Sequence, residues 1–168
     1  SSGGARLARD AAMAAACGAT LRPAVTAVTV QTDAAVRAVY PCTADAVAEQ
    51  IDAALATPAP PGAVKIGMLG SATVAETVVA ALPPRLPIVL DPVLKSTSGG
   101  TLMAAAGFGA LLCRASVVTP NLDELAALCG GVGDPAQQAK ALLSQGVQAV
   151  LVKGGHGNGA FSTDLLYC

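Results

Sequence analysis

Two hydrophobic periods alternate along this 168-residue chain: helical spacing over long stretches, and short continuous β-branched runs between them. Residues 4–18 are Ala-rich, with Leu7, Ala11 and Ala14 at helical spacing and Gly18 as a C-terminal stop. Pro23–Val30 reads as a strand. Thr43 caps a predicted helix over Ala44–Ala56, with Val47, Ile51 and Leu55 inward and Asp45 and Glu49 outward. A Pro/Gly stretch, Pro58–Gly62, leads into a strand over Val64–Met68. Ser71 caps a helix that runs to about Leu82, where Pro83-Pro84 stops it. Leu86–Leu90 is an apolar strand closed by Asp91-Pro92, and Lys95–Gly100 is a polar, Gly-rich loop.

The same alternation continues to the last residues. A helix is predicted over Met103–Cys113, a strand over Ser116–Thr119 and a helix over Asn121–Cys129, broken by Gly130-Gly131. Asp134-Pro135 starts a helix that runs to Gln145, with Pro at its first position. Val147–Val152 is a buried strand, and Ser162–Tyr167 an edge hairpin strand. About five parallel-type strands joined by right-handed helical crossovers make a three-layer α/β/α domain. Neither an internal repeat nor a domain-separating linker interrupts it.

Composition narrows the picture. The chain is 53% hydrophobic but only 2% aromatic, so its core must be built from Ala, Val and Leu, which suits helices packed closely on a parallel sheet. A formal charge of −1, without a basic run or interleaved aromatics, argues against nucleic acid as a partner. Gly, Ser and Thr break every long uncharged stretch, so a membrane span is not expected. The five cysteines show no C-x-x-C pair and no metal-ligand spacing. They read as small buried thiols in a reducing cytoplasm.

The chemistry-bearing residues gather at strand ends, where open α/β sheets bind ligands. Lys65-Ile66-Gly67-Met68-Leu69, Asp91-Pro92-Val93, Thr119-Pro120-Asn121-Leu122-Asp123-Glu124 and Lys153-Gly154-Gly155-His156 each leave a strand. Together they suggest one cleft that holds phosphate. Asp91 could hold a water of a Mg²⁺ ion. Asn121 and Glu124 could form a capping box, or Glu124 could face the cleft; Asp123 and Glu124 also suit the helix dipole. Lys153 can neutralise phosphate, and the glycines after it would let a nucleotide approach the backbone. His156, the single histidine, has no acid or nucleophile placed for it and reads as structural or surface. Ser1-Ser2-Gly3-Gly4-Ala5 before a helix could cradle an anion or form an ordinary turn. Asp10, two turns into that helix, is either a solvated side chain or a ligand for a ring amine.

In their order along nearly the whole chain, these segments resemble the hydroxymethylpyrimidine/phosphomethylpyrimidine kinases of thiamine biosynthesis, in the ribokinase-like superfamily. Ser1–Ala5 is similar to the family's D-x-S-G-G-A without its leading Asp, and Asp10 to the acid of G-I-Q-A-D. Thr26–Thr32 resembles T-A-L-T-A-Q-N, and Lys65–Leu69 matches K-I-G-M-L. Asp91–Val93 with Ser96–Gly100 resembles D-P-V-M…S-G; Thr119–Glu124 resembles T-P-N-x-x-E; Lys153–His156 is similar to K-G-G-H.

The resemblance implies a ribokinase-like fold with a mostly parallel sheet and helices on both faces. It implies ATP and Mg²⁺ as cofactors. It places the pyrimidine near Gly4, Asp10, Gln31 and Met68, nucleotide phosphates near Asn121, Lys153 and Gly155, and Mg²⁺ with its waters at Asp91 and Glu124. Transfer of the ATP γ-phosphoryl to the primary alcohol, then to the monophosphate, would follow, in a cytoplasmic homodimer. Pyridoxal kinases share fold and chemistry, and a non-catalytic ligand-binding remnant is the rival of another class.

Two family features are not found: the strand before Ser1, and the G-T-G-C or G-T-G-D segment with its anion hole and proposed catalytic base. Residues 1–168 are therefore expected to be part of a longer polypeptide, one ribokinase-like domain without its catalytic residue. Alone they would bind part of the substrate without transferring phosphate. Arg6 and Arg9 also stand where the family usually has Gly and Gln-type residues.

Overall fold

A computed structural model describes residues 6–32, 36–94, 103–154 and 161–168, with the side chains of Arg6 and Gln31 left aside. Gly4, Gly155, His156 and the Lys95–Gly100 loop lie outside the described residues.

Four strands form a parallel sheet: β3 (Val64–Ile66), β4 (Ile88–Leu90), β5 (Val117–Val118) and β6 (Ala149–Val152). A fifth, β7 (Leu165–Tyr167), closes one edge antiparallel to β6. The spatial order β3-β4-β5-β6-β7 follows the chain, because each parallel step carries a helical crossover. α2 (Ala44–Leu55), α3 (Ala72–Ala81), α5 (Leu122–Leu128) and α6 (Pro135–Ser144) bury their apolar stripes. Ile88, Leu90, Val118 and Val150 are fully buried in the sheet, under Val47, Ala75, Phe108, Leu111, Leu125 and Leu142. Phe108 is the largest of the fully buried side chains.

Local chemistry sets the helix starts. Thr43 and Ser71 accept hydrogen bonds from Ala46 N (3.3 Å) and Val74 N (3.2 Å). Asp134 and Gln137 form a reciprocal capping box ahead of Pro135. Gly18, at φ +68°, ends α1 (Arg6–Ala16) in the left-handed region open to glycine.

Three expectations need correction. Pro23–Val30 contributes no strand to the parallel sheet; β1 (Ala27–Gln31) pairs antiparallel with β2 (Val36–Pro41) in a separate two-stranded sheet. β-Branched composition marks extended backbone but not its partner, and β2, with Arg37 and Pro41, is too mixed to stand out. Met103–Cys113 is not one helix but a 3₁₀ turn, Ala105–Phe108, running into the short α4 (Gly109–Leu112), since Gly107 and Gly109 weaken a helix interior.

The cysteines are not buried either. Cys17, Cys113 and Cys168 are exposed, Cys42 and Cys129 half-buried, and all five are free thiols. They fall at helix ends and after strands, where position overrides the residue's preference for the core. The apolar stripe of α1 is uncovered: Leu7 is 43% and Met13 65% exposed. Both line a groove of about 590 Å³ beside β3, with Val64, Ile66 and Leu69 opposite. Among the described residues β3 pairs only with β4, so its outer edge faces this groove.

Candidate active site

Parallel strands end on one side, so the residues that follow β3, β4, β5 and β6 share a rim. Backbone bonds hold that rim: Asp91 N donates to Ile66 O (2.8 Å), Thr119 N to Leu90 O (2.8 Å) and Lys153 N to Pro120 O (2.8 Å). Gly67-Met68, Asp91, Asn121 and Lys153 thus emerge together. Asn121 and Lys153 form one further parallel bridge beyond β5 and β6.

Three side chains meet there. The Lys153 ammonium donates to Asp91 Oδ1 at 2.8 Å and lies 3.9 Å from Glu124 Oε2. The Asp91 and Glu124 side chains are 15% and 10% exposed, Lys153 37%. The two carboxylate side chains are therefore largely shielded from water, and Lys153 is the most exposed of the three side chains. Charges held this way persist only when paired.

Glu124 has two tasks. Its Oε2 accepts from Asn121 N (2.9 Å), while Asn121 Oδ1 accepts from Glu124 N (2.8 Å). That reciprocal capping box sets the start of α5 and fixes the carboxylate at the rim. The same oxygen faces Lys153. Capping and facing the rim lysine are not alternatives here; one geometry serves both.

The donor set fits a hard divalent cation. Mg²⁺ is held by one or two carboxylates with waters and phosphate oxygens making up its shell. Asp91 and Glu124 are two such carboxylates, and a cationic nitrogen already stands beside both. No group of three or more His, Cys, Asp or Glu side chains clusters for a metal among the described residues.

On the other side of the rim, Asp10 and Met68 line the groove beside β3. The Lys65 ammonium donates to Asp10 Oδ1. This partner is not evident from sequence: Lys65 and Asp10 are 55 positions apart, and only the placement of α1 against β3 joins them. Met68 is positioned through its carbonyl, which accepts from Thr26 Oγ1 at 2.6 Å. Gln50 in turn braces the Thr26 segment, accepting from Val25 N (2.8 Å) and donating to Val25 O (3.1 Å). Neither Thr26 nor Gln50 stands out as a positioning residue in the sequence. Gln31 closes β1 opposite Val36.

The mostly parallel α/β sheet, with an acidic pair and a lysine at its C-terminal rim, is the fold of the ribokinase-like kinases on which it superposes. The phosphomethylpyrimidine kinase family profile matches residues 1–168, and the chain belongs to that family. It is 41% identical over 179 residues to the hydroxymethylpyrimidine/phosphomethylpyrimidine kinase of Mycobacterium bovis, covering 99% of this chain and 65% of that protein. The crystal structure of phosphomethylpyrimidine kinase from Clostridium difficile superposes with a TM-score of 0.83 at 31% identity, over 98% of this chain and 75% of that one. A pyridoxal kinase from Staphylococcus aureus in complex with ADP gives 0.70 at 28% identity, over 86% and 56%. The chain spans 60–66% of the length of three hydroxymethylpyrimidine/phosphomethylpyrimidine kinases it matches, from Aquifex aeolicus, Rhizobium meliloti and Mycobacterium bovis. No helix among the described residues is long and apolar enough to cross a membrane.

Proposed function

We propose that this chain belongs to a cytoplasmic, homodimeric kinase that transfers the γ-phosphoryl of ATP to 4-amino-5-hydroxymethyl-2-methylpyrimidine, and then to the monophosphate, in thiamine biosynthesis. Residues 1–168 form one ribokinase-like domain of that kinase. The observation that carries the reading is the Lys153–Asp91–Glu124 cluster at the C-terminal rim of the parallel sheet. Phosphoryl transfer asks for charge neutralisation and alignment more than for covalent help from the protein, and this cluster supplies groups of both signs at one place.

Asp91 and Glu124 would hold Mg²⁺ and its waters, and the ion, when bound, offsets charge on the phosphates. Lys153 would face the phosphates as a point charge, its backbone fixed on Pro120 O. Asn121 lies beside it on the same bridge, and Gly155 is assigned to the nucleotide. The pyrimidine is assigned to the groove that Asp10 and Met68 both line, with Gly4 and Gln31 as further contacts. Asp10 would accept from the ring amine, and Met68 would supply an apolar wall. No residue of the chain is assigned as catalytic base.

The test is incubation of the intact polypeptide with ATP, Mg²⁺ and either hydroxymethylpyrimidine or pyridoxal, with products resolved by mass spectrometry. Mono- and then diphosphorylated pyrimidine is expected, with pyridoxal a poorer substrate. Preferred turnover of pyridoxal would move the assignment to the sister chemistry. Binding of pyrimidine with no transfer would favour a ligand-binding protein.

A further inference from the structure

Among the described residues, the Lys153–Asp91–Glu124 cluster sets one positive charge against two negative ones, and the lysine is the most exposed of the three side chains. We propose that the Lys153 ammonium is a tethered cation that occupies the Asp91–Glu124 pair until a divalent ion replaces it. Metal binding and release of Lys153 toward phosphate are then one exchange. The inference deepens the kinase reading and rests on it for the phosphate.

Three observations support an exchange over a fixed ion pair. First, the groups that would have to stay still are held. Glu124 Oε2 is fixed by Asn121 N and the Lys153 backbone by Pro120 O. Gly154 N donates to Asp164 Oδ1 (2.9 Å), and its Cα lies so close to Thr163 that a Cβ there would meet the Thr163 carbonyl oxygen at 2.1 Å. These contacts hold the strand end, and the flexible four-carbon stem of Lys153 is the part of the cluster with the most freedom to move.

Second, the contacts are unequal. The ammonium bonds one carboxylate at 2.8 Å and stands off the other at 3.9 Å. A single ammonium carries one charge toward two carboxylates, whereas a divalent ion carries two. Third, the two cations exclude each other. A metal held by both carboxylates would lie within a few ångströms of the ammonium, and like charges at that distance in a poorly hydrated site repel strongly. The half-exposed amine is the group with somewhere to go.

The test is titration of the intact protein with Mn²⁺ alone, without nucleotide, followed by calorimetry or by the Mn²⁺ electron paramagnetic resonance signal. Lys153→Met keeps the apolar stem and removes the competing charge, so Mn²⁺ should bind at least tenfold tighter than to wild type. Lys153→Arg keeps a cation and should stay within a few-fold of wild type. In the wild-type protein, reductive methylation read by mass spectrometry should modify Lys153 faster when Mn²⁺ is present than when it is absent. This second measurement needs no variant.

Unchanged or weaker Mn²⁺ affinity in Lys153→Met, or Mn²⁺-independent methylation of Lys153, overturns the exchange. If wild type still binds ADP and phosphorylates the pyrimidine, only the exchange is lost. If it does neither, the kinase reading fails with it.

Discussion

Glu124 offers the sharpest test, because its carboxylate both caps α5 and faces the charged rim, and two substitutions separate those roles. Glu124→Gln keeps an oxygen to accept from Asn121 N, now 2.9 Å from Oε2, and removes only the charge. The Coulomb attraction to Lys153 across 3.9 Å is about 4 kcal/mol at an effective dielectric of 20. Lys153 is more than a third exposed, however, and its short bond goes to Asp91. Pairs of that kind contribute a net of roughly 0–1 kcal/mol. The midpoint of thermal unfolding should therefore fall by no more than about 2–4 °C for a chain of this size.

Glu124→Ala also removes the acceptor and leaves the Asn121 N–H unpaired in a half-buried position, which costs about 1–3 kcal/mol. Its midpoint should fall by several degrees more than that of Glu124→Gln. Activity should rank differently. A lost electrostatic stabiliser in phosphoryl transfer costs on the order of 10²–10³ in kcat, so both variants should lose activity to a similar extent at a temperature where both are folded. The assays are differential scanning fluorimetry and ATP-dependent phosphorylation of hydroxymethylpyrimidine by the intact protein. Full activity in Glu124→Gln would refute the metal role and leave Glu124 as a helix cap. Equal destabilisation by Gln and Ala would refute the capping account.

Other outcomes follow from single features. Asp10→Asn breaks the half-exposed pair with Lys65, so unfolding should move by less than about 1 kcal/mol, while KM for the pyrimidine rises at least tenfold in steady-state kinetics; an unchanged KM would remove Asp10 from the substrate site. Ser71→Ala deletes the acceptor for Val74 N and should cost about 1 kcal/mol in urea unfolding, with Ser71→Asp close to wild type. Burial raises the Cys129 pKa above its ordinary value, so less thiolate is present at neutral pH. Cys129 should then react with iodoacetamide more slowly than the exposed Cys17, Cys113 and Cys168, with its pH–rate curve displaced upward, as mass spectrometry of timed samples can show.

Much of this protein is written locally. Thr43, Ser71 and Asp134 name their helix starts, because a side-chain oxygen satisfies an amide two or three residues ahead. The apolar runs ending at Leu90, Thr119 and Val152 announce buried parallel strands, because such strands contact helices on both faces. That the strand-end residues Asp91, Asn121, Glu124 and Lys153 share one rim is legible for a related reason: parallel strands all end on one side.

Tertiary structure decided what depends on partners. Nothing in Ala27–Gln31 says that it pairs with Val36–Pro41 rather than with the central sheet, since pairing is chosen by the other strand. Asp10 and Lys65 find each other only because α1 lies beside β3. The cysteines' exposure follows from their places at helix ends and after strands, not from their preference for the interior. That one lysine stands against two carboxylates, 62 positions from Asp91, is fixed by strand register, which converts distant residues into neighbours at ångström precision.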